Sequence, residues 1–88
     1  MNDTALLARA RDGDSAAFAE LYRRHRRTVW LHARGGGLTD QAADDLTGEA
    51  FTRTLAAVRA GGGPRTSVRD YLLAMVRRMA AGRRATVP

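Results

Sequence analysis

The sequence contains no cysteine and no lysine. The first absence excludes disulfides and thiolate metal sites, and it fits a reducing compartment. The second means that all of the positive charge, a formal net +6 over 88 residues, is carried by arginine. Arginine's planar fork suits phosphates and base edges better than a point charge does. A GC-rich genome would also favour Arg and Ala codons, but codon bias does not explain why the arginines cluster. Aromatics are scarce: Phe18, Tyr22, Trp30, Phe51 and Tyr71 are the whole set, so a core must be mostly aliphatic. Long hydrophobic runs are missing as well. The longest strongly apolar run, Tyr71–Val76, is far too short to span a bilayer, and Asp3 and Arg9 interrupt the start where a signal peptide would be apolar. The chain reads as cytoplasmic and soluble, with no membrane partner. Its length and its 44% hydrophobic content suffice for one small domain.

Basic residues are also missing between Gly35 and Thr52, where Asp40, Asp44, Asp45 and Glu49 fall. From Arg65 onward the balance inverts: Arg65, Arg69, Arg77, Arg78, Arg83 and Arg84 stand against a single acid, Asp70. An upstream basic cluster, Arg23, Arg24, Arg26, Arg27 and Arg34, reads as having no acid beside it. One small domain that offers an acidic and a basic surface points to two macromolecular partners rather than one small substrate.

Punctuation along the chain predicts four helices. The first covers about Asp3 to Arg11, capped by Asn2 or Asp3 and stopped at Gly13. Asp14 or Ser15 caps the second, whose Phe18, Leu21, Tyr22, His25, Val29 and His32 recur at three- and four-residue steps until Gly35-Gly36-Gly37. Thr39 or Asp40 caps the third, with Ala43, Leu46, Ala50, Phe51, Leu55 and Val58 as its apolar face, up to Gly61-Gly62-Gly63-Pro64. Ser67 opens the fourth in a capping box with Asp70, and Val68, Leu72, Met75, Val76 and Met79 trace one stripe, leaving Arg69, Arg77, Arg78 and Arg84 toward solvent. Period-two alternation is absent over any useful length. The expected fold class is all-α, a compact bundle. Residues 1–84 form the domain; Ala85-Thr86-Val87-Pro88 reads as the start of a linker or the end of an expressed piece.

Catalytic and cofactor chemistry finds little support. His25 and His32 lie two turns apart, roughly 10 Å along the axis, too far to share an ion, and a partly buried structural histidine is the simpler reading. Asp44, Asp45 and Glu49 have no nucleophile or histidine at a useful spacing. Acids early in a helix favour its dipole, which accounts well for Asp40 and poorly for Glu49. Asp45 and Glu49, four apart, repel, with Arg53 as partial offset, and a repulsive pair of this kind suits a basic partner. The Gly61–Gly63 triplet lacks the lysine of a P-loop and follows a helix rather than a strand. A flexible glycine-proline loop running into Arg65, Thr66, Ser67 and a helix N-terminus instead suits a nucleic-acid backbone or an extruded base. The chain is expected to be no enzyme and to need no cofactor or metal.

Several stretches in fixed order carry a resemblance. Leu6-Leu7-Ala8-Arg9-Ala10-Arg11-Asp12-Gly13-Asp14 precedes Ala17-Phe18-Ala19-Glu20-Leu21-Tyr22-Arg23-Arg24, and Val29-Trp30 follows. Asp44-Asp45-Leu46-Thr47-Gly48-Glu49-Ala50-Phe51 comes next, then Ser67-Val68-Arg69-Asp70-Tyr71-Leu72-Leu73-Ala74-Met75-Val76-Arg77-Arg78. Together they resemble domain 2 of a bacterial sigma factor of the extracytoplasmic-function group, from about Leu6 to Arg84. The resemblance implies a transcription initiation domain that docks on the clamp helices of the largest RNA polymerase subunit. It would capture the single-stranded non-template strand of the minus-ten promoter element, and an anti-sigma factor is a further implied partner. Carried over, polymerase docking falls to Asp45, Leu46, Glu49 and Arg53. Strand capture falls to Gly62, Gly63, Arg65, Thr66, Ser67, Tyr71, Arg77, Arg78 and Arg84.

The chain departs from the family pattern at four of these positions: Gly48 stands for a usual glutamine, Tyr71 for tryptophan, Ala74 for arginine and Arg78 for asparagine. Asparagine reads a base edge bidentately, whereas arginine prefers guanine or phosphate, and the loop has no aromatic on which to stack a base. Selectivity would then come from backbone groups, Arg65, Thr66 and Ser67. Two rival readings are a degenerate sigma-like protein-interaction bundle and another helical duplex-DNA-binding regulator domain. The second, if a helix-turn-helix, needs a tighter turn than this loop offers.

Overall fold

The computed structural model describes residues 1–85, with side chains through Arg83. Thr86, Val87 and Pro88, expected to begin a linker, lie outside the described residues, as does the side chain of Arg84. Four helices follow one another: α1 (Asp3–Arg11), α2 (Ser15–Gly35), α3 (Asp40–Arg59) and α4 (Val68–Ala85), with no strand among the described residues. The all-α expectation therefore holds. α4 runs to Ala85, one residue past the expected domain end.

Each of the first three helices starts where a short polar side chain reaches the N–H three residues on. Asn2 Oδ1 accepts from Ala5 N at 2.8 Å, Asp14 Oδ1 from Ala17 N at 3.1 Å, and Thr39 Oγ1 from Ala42 N at 3.1 Å. Ser67 Oγ does the same for Asp70 N at 3.1 Å. Such caps contribute about 1 kcal/mol each.

α2 and α3 form the spine, packed on each other, with α1 and α4 both resting against the pair. Leu21, Leu46, Leu72, Val29, Val58 and Val76 are fully buried in one cluster, and each large aliphatic buried this way contributes about 1.5–3 kcal/mol. Two parts of the expected stripes differ. On α2 the buried positions are Ala17, Leu21, Val29 and Ala33, with His25 half-buried between them, while Tyr22 and His32 are exposed. These positions step by four, so the contact follows the slanted i±4 ridge rather than a straight three-four seam. On α3 the buried face includes Thr47 and Thr54, and Leu55 is only half-buried. Thr54 returns its hydroxyl to Ala50 O at 2.8 Å, which lets it serve as an isostere of valine.

Candidate functional site

The loop between α3 and α4 is tied into the fold at several points. Gly61 N–H donates to Val58 O at 3.0 Å and Gly62 N–H to Ala57 O at 2.8 Å, ending α3. Gly63 has φ +84°, and a Cβ there would lie 2.8 Å from Val58 Cγ2, so only glycine fits. Pro64 is buried. Arg11 then reaches over from the end of α1: its Nε and Nη2 donate to Gly62 O at 3.4 and 3.3 Å, and Nη2 donates also to Pro64 O. Gly62, expected to face DNA, thus has its N–H and its carbonyl both engaged inside the fold, and Gly63 is packed on Val58. Nothing in the sequence marked Arg11, which acts across 51 positions.

What the loop leaves open is Arg65, Thr66 and Ser67. Arg65 and Thr66 are exposed, although Arg65 Nη2 folds back onto Gly61 O at 2.7 Å. The Ser67 oxygen serves as cap but keeps its own O–H to donate. Helical periodicity carries this corner along α4: Ser67, Tyr71 and Arg78, spaced by four and seven, fall on one face. Tyr71 is half-buried; Arg77 and Arg78 are exposed, with no acid within 4 Å among the described residues. Arg69 is also exposed and lies 3.6 Å from Asp70. The structure therefore places Arg65, Thr66 and Ser67 at the start of α4 and Ser67, Tyr71 and Arg78 along one of its faces, Arg78 about 16 Å farther along the axis.

The acidic stretch is largely spoken for. Asp40 pairs with Arg34 at 2.7 Å, and Asp44 accepts Trp30 Nε1–H at 2.6 Å. Asp45 accepts from Gln41 Nε2 at 3.0 Å. Glu49 gives one oxygen to Arg53 at 2.6 Å and the other to Arg83 at 3.1 Å, so its charge is compensated rather than repelled. Leu46 is 0% exposed and belongs to the core, which removes it from any docking surface. Asp44 and Asp45 are the acids of α3 without a cationic partner among the described residues, and only Asp45, Glu49 and Arg53 remain of the expected docking set.

The upstream basic cluster does have acids beside it. Glu20 binds Arg23 at 2.8 Å and Arg24 at 3.3 Å, and Asp3 binds Arg24 at 3.2 Å across from α1. Hydrogen bonds from Arg23 and then Arg24 hold the Glu20 carboxyl below its ordinary value. His25 Nε2 lies 2.6 Å from Asp3 Oδ2, a second tie between α1 and α2. Arg26 and Arg27 alone in the cluster have no acid within 4 Å among the described residues. No three His, Asp or Glu side chains among the described residues are grouped to hold a metal ion, and no helix there is long and apolar enough to cross a membrane. No family model, curated protein or solved structure matches the chain.

Proposed function

We propose that the chain is a sigma-factor domain 2-like module that binds RNA polymerase and captures the non-template strand of the minus-ten promoter element. The observation that carries this reading is the sorting of the surface. Arg65, Thr66, Arg77 and Arg78 are exposed on the loop and α4 with no acid within 4 Å among the described residues, and Asp44 and Asp45 are exposed on α3 with no cation. The motif order along the sequence supplies the identity of the two partners. In this reading Arg65 and Arg78 hold phosphates or a guanine edge, Tyr71 offers its ring to an unpaired base, and Arg77 and Arg84 track the backbone. Promoter opening is driven by binding energy, since unpaired bases gain contacts that paired ones do not. Asp45, with Glu49 and Arg53, meets the polymerase clamp.

A titration with single-stranded minus-ten oligonucleotides at two salt concentrations tests the DNA half. Arg65→Ala and Arg78→Ala should each weaken binding, and each lost phosphate contact should lower the salt slope by about 0.7. Binding indifferent to both substitutions and to salt refutes it. Capture of polymerase clamp helices tests the other half: Asp45→Lys should abolish capture and leave oligonucleotide affinity intact.

A second reading draws on the compensated acids. With Asp40 and Glu49 paired to arginines and Gly48 in place of a polar docking side chain, a sigma-like protein-interaction bundle without strand capture also fits. It predicts clamp or anti-sigma binding with no measurable affinity for the oligonucleotide.

A further inference from the structure

One surface is used by neither half of that reading except where it borders the docking segment at Gly48. An open cleft of about 380 Å³ lies between α2 and α3, where Tyr22, Arg26, Arg27 and Trp30 face Asp44, Thr47 and Gly48. A second hollow of about 460 Å³, lined chiefly by Phe18, Tyr22, Arg26 and Leu55, shares Tyr22 and Arg26 with the first. The two are therefore one groove along the helix pair. It runs from Ser15 to Trp30 on α2, about 22 Å or four helical turns at the usual rise. On α3 the lining residues Asp44, Thr47, Gly48 and Leu55 share one face of the helix, with Phe51 buried beneath it. Asp45, Glu49 and Arg53 lie about 100° or more around that helix, so the groove and the proposed polymerase dock are different surfaces.

We infer that this groove receives an amphipathic helix of a partner protein, with acidic residues along the edge that meets α2 and basic residues along the edge that meets α3. Three observations select that occupant. The second hollow is chiefly apolar, on Phe18, Tyr22 and Leu55, and Tyr22, 39% exposed, stands edge-to-face on buried Phe51 at 4.8 Å, so nonpolar side chains have somewhere to bury there. The walls carry opposite charge. Arg26 and Arg27 on α2 have no internal acid within 4 Å among the described residues, and Asp44 on α3 has no internal cation. Single-stranded nucleic acid would satisfy the arginines and the rings but would run its phosphates beside Asp44. Finally, the cleft is notched. Gly48 leaves open space where any other residue would put a side chain, and neighbouring Thr47 holds a buried hydroxyl with no hydrogen-bond partner among the described residues. Glycine in mid-helix costs about 1 kcal/mol relative to alanine, and an unsatisfied buried hydroxyl costs as much or more. A bound helix that seats a side chain over Gly48 gives the open notch a use. The docking mode is helix-in-groove, read through anchors at i, i+3, i+4 and i+7.

The inference stands whether or not the chain captures promoter DNA, and its test is separate. Trp30 is the sole tryptophan and lines the cleft, so its fluorescence reports occupancy directly. The probe is a synthetic amphipathic helix of about 15 residues, long enough to fill the groove, with Leu and Phe anchors, Glu along one edge and Lys along the other. A second peptide has Glu and Lys exchanged, and a third ligand is a single-stranded oligonucleotide. The first peptide should shift Trp30 emission saturably, and the charge-exchanged peptide should bind about tenfold more weakly or worse. Arg26→Glu combined with Arg27→Glu should lose a similar factor for the first peptide. Gly48→Leu should block binding while circular dichroism shows an intact helical fold, because leucine is the better helix former. Equal affinity for both peptides, or unimpaired binding by the variants, overturns the inference. So does a Trp30 response to the oligonucleotide with none to either peptide, which would make the groove a nucleic-acid site.

Discussion

Replacing Gly63 with alanine tests the tightest contact in the loop that presents Arg65, Thr66 and Ser67. Two separate costs arise. The backbone there has φ +84°, and holding an L-residue in the left-handed region costs roughly 1–2 kcal/mol. The new Cβ would also sit 2.8 Å from Val58 Cγ2, and Val58 is 0% exposed, so it has no room to retreat. Overpacking of that kind costs about 1–3 kcal/mol. Gly63→Ala should therefore destabilise by about 2–5 kcal/mol. Gly61→Ala supplies the control: φ is +91°, but an added Cβ meets nothing within 4 Å, so only the backbone cost of about 1–2 kcal/mol applies. Urea unfolding of the two variants, at unchanged m, reads the difference as a shift in midpoint. A domain this small should also lose about 4–8 °C in Tm per kcal/mol. Val58→Ala placed in the Gly63→Ala background should relieve the overlap, so the double variant should be more stable than the sum of the singles by about 1 kcal/mol. If Gly63→Ala proves no worse than Gly61→Ala, the loop is not seated on Val58 and the reasoning fails.

Arg11→Ala should cost about 1.5–3 kcal/mol by stripping a charged donor from two loop carbonyls, with Arg11→Lys recovering only part because an ammonium lacks the fork; equal stability of Arg11→Ala and wild type in urea refutes the clamp. Glu20 has a carboxyl lowered by Arg23 and Arg24, so it contributes stability above its ordinary value of 4.5 and loses it as pH falls through the folded value. Glu20→Gln should accordingly flatten the stability–pH curve on the acid side of that value, and an unchanged slope would mean the pairs do not persist in solution. Gly48→Ala should raise stability by about 0.5–1 kcal/mol, since its Cβ enters open space on a helix; a loss would show that the cleft is narrower than described.

The helices were legible in the sequence because their ends are written in local chemistry. Each of the first three caps was narrowed to two adjacent residues, and in every case the earlier one, Asn2, Asp14 or Thr39, is the cap. It alone stands three positions ahead of the N–H it satisfies. The exposed arginines of α4 were legible for the same reason, as residues off a periodic stripe. Periodicity misread Tyr22 and His32 because it fixes which positions share a face but not how neighbouring helices slant across it. Thr47 and Thr54 hid because hydroxyls read as surface, although Thr54 satisfies its own within the helix. The charge map misled most. Glu49 looked only partly offset, by Arg53, and Arg83, which pairs with it from 34 positions away, is joined to it only by folding. Glu20, three and four positions before Arg23 and Arg24, was close enough to be read from the sequence, whereas Asp3 reaches Arg24 across 21 positions and only through the fold.

The Arg11 clamp ties the order of the loop to the shortest helix. α1 is synthesised first, and the carbonyls it must grip on Gly62 and Pro64 emerge some fifty residues later. The end of α3 and the seat of Gly63 on Val58 need nothing from α1, but the Gly62 and Pro64 carbonyls gain their Arg11 donor only once α1 has docked. The loop and α1 should therefore open as one cooperative unit in native-state hydrogen exchange, with amides of α1 and of residues 61–63 sharing a common opening free energy. The segment that leads to Arg65 would then be held most firmly when α1, with Arg11 at its end, is in place.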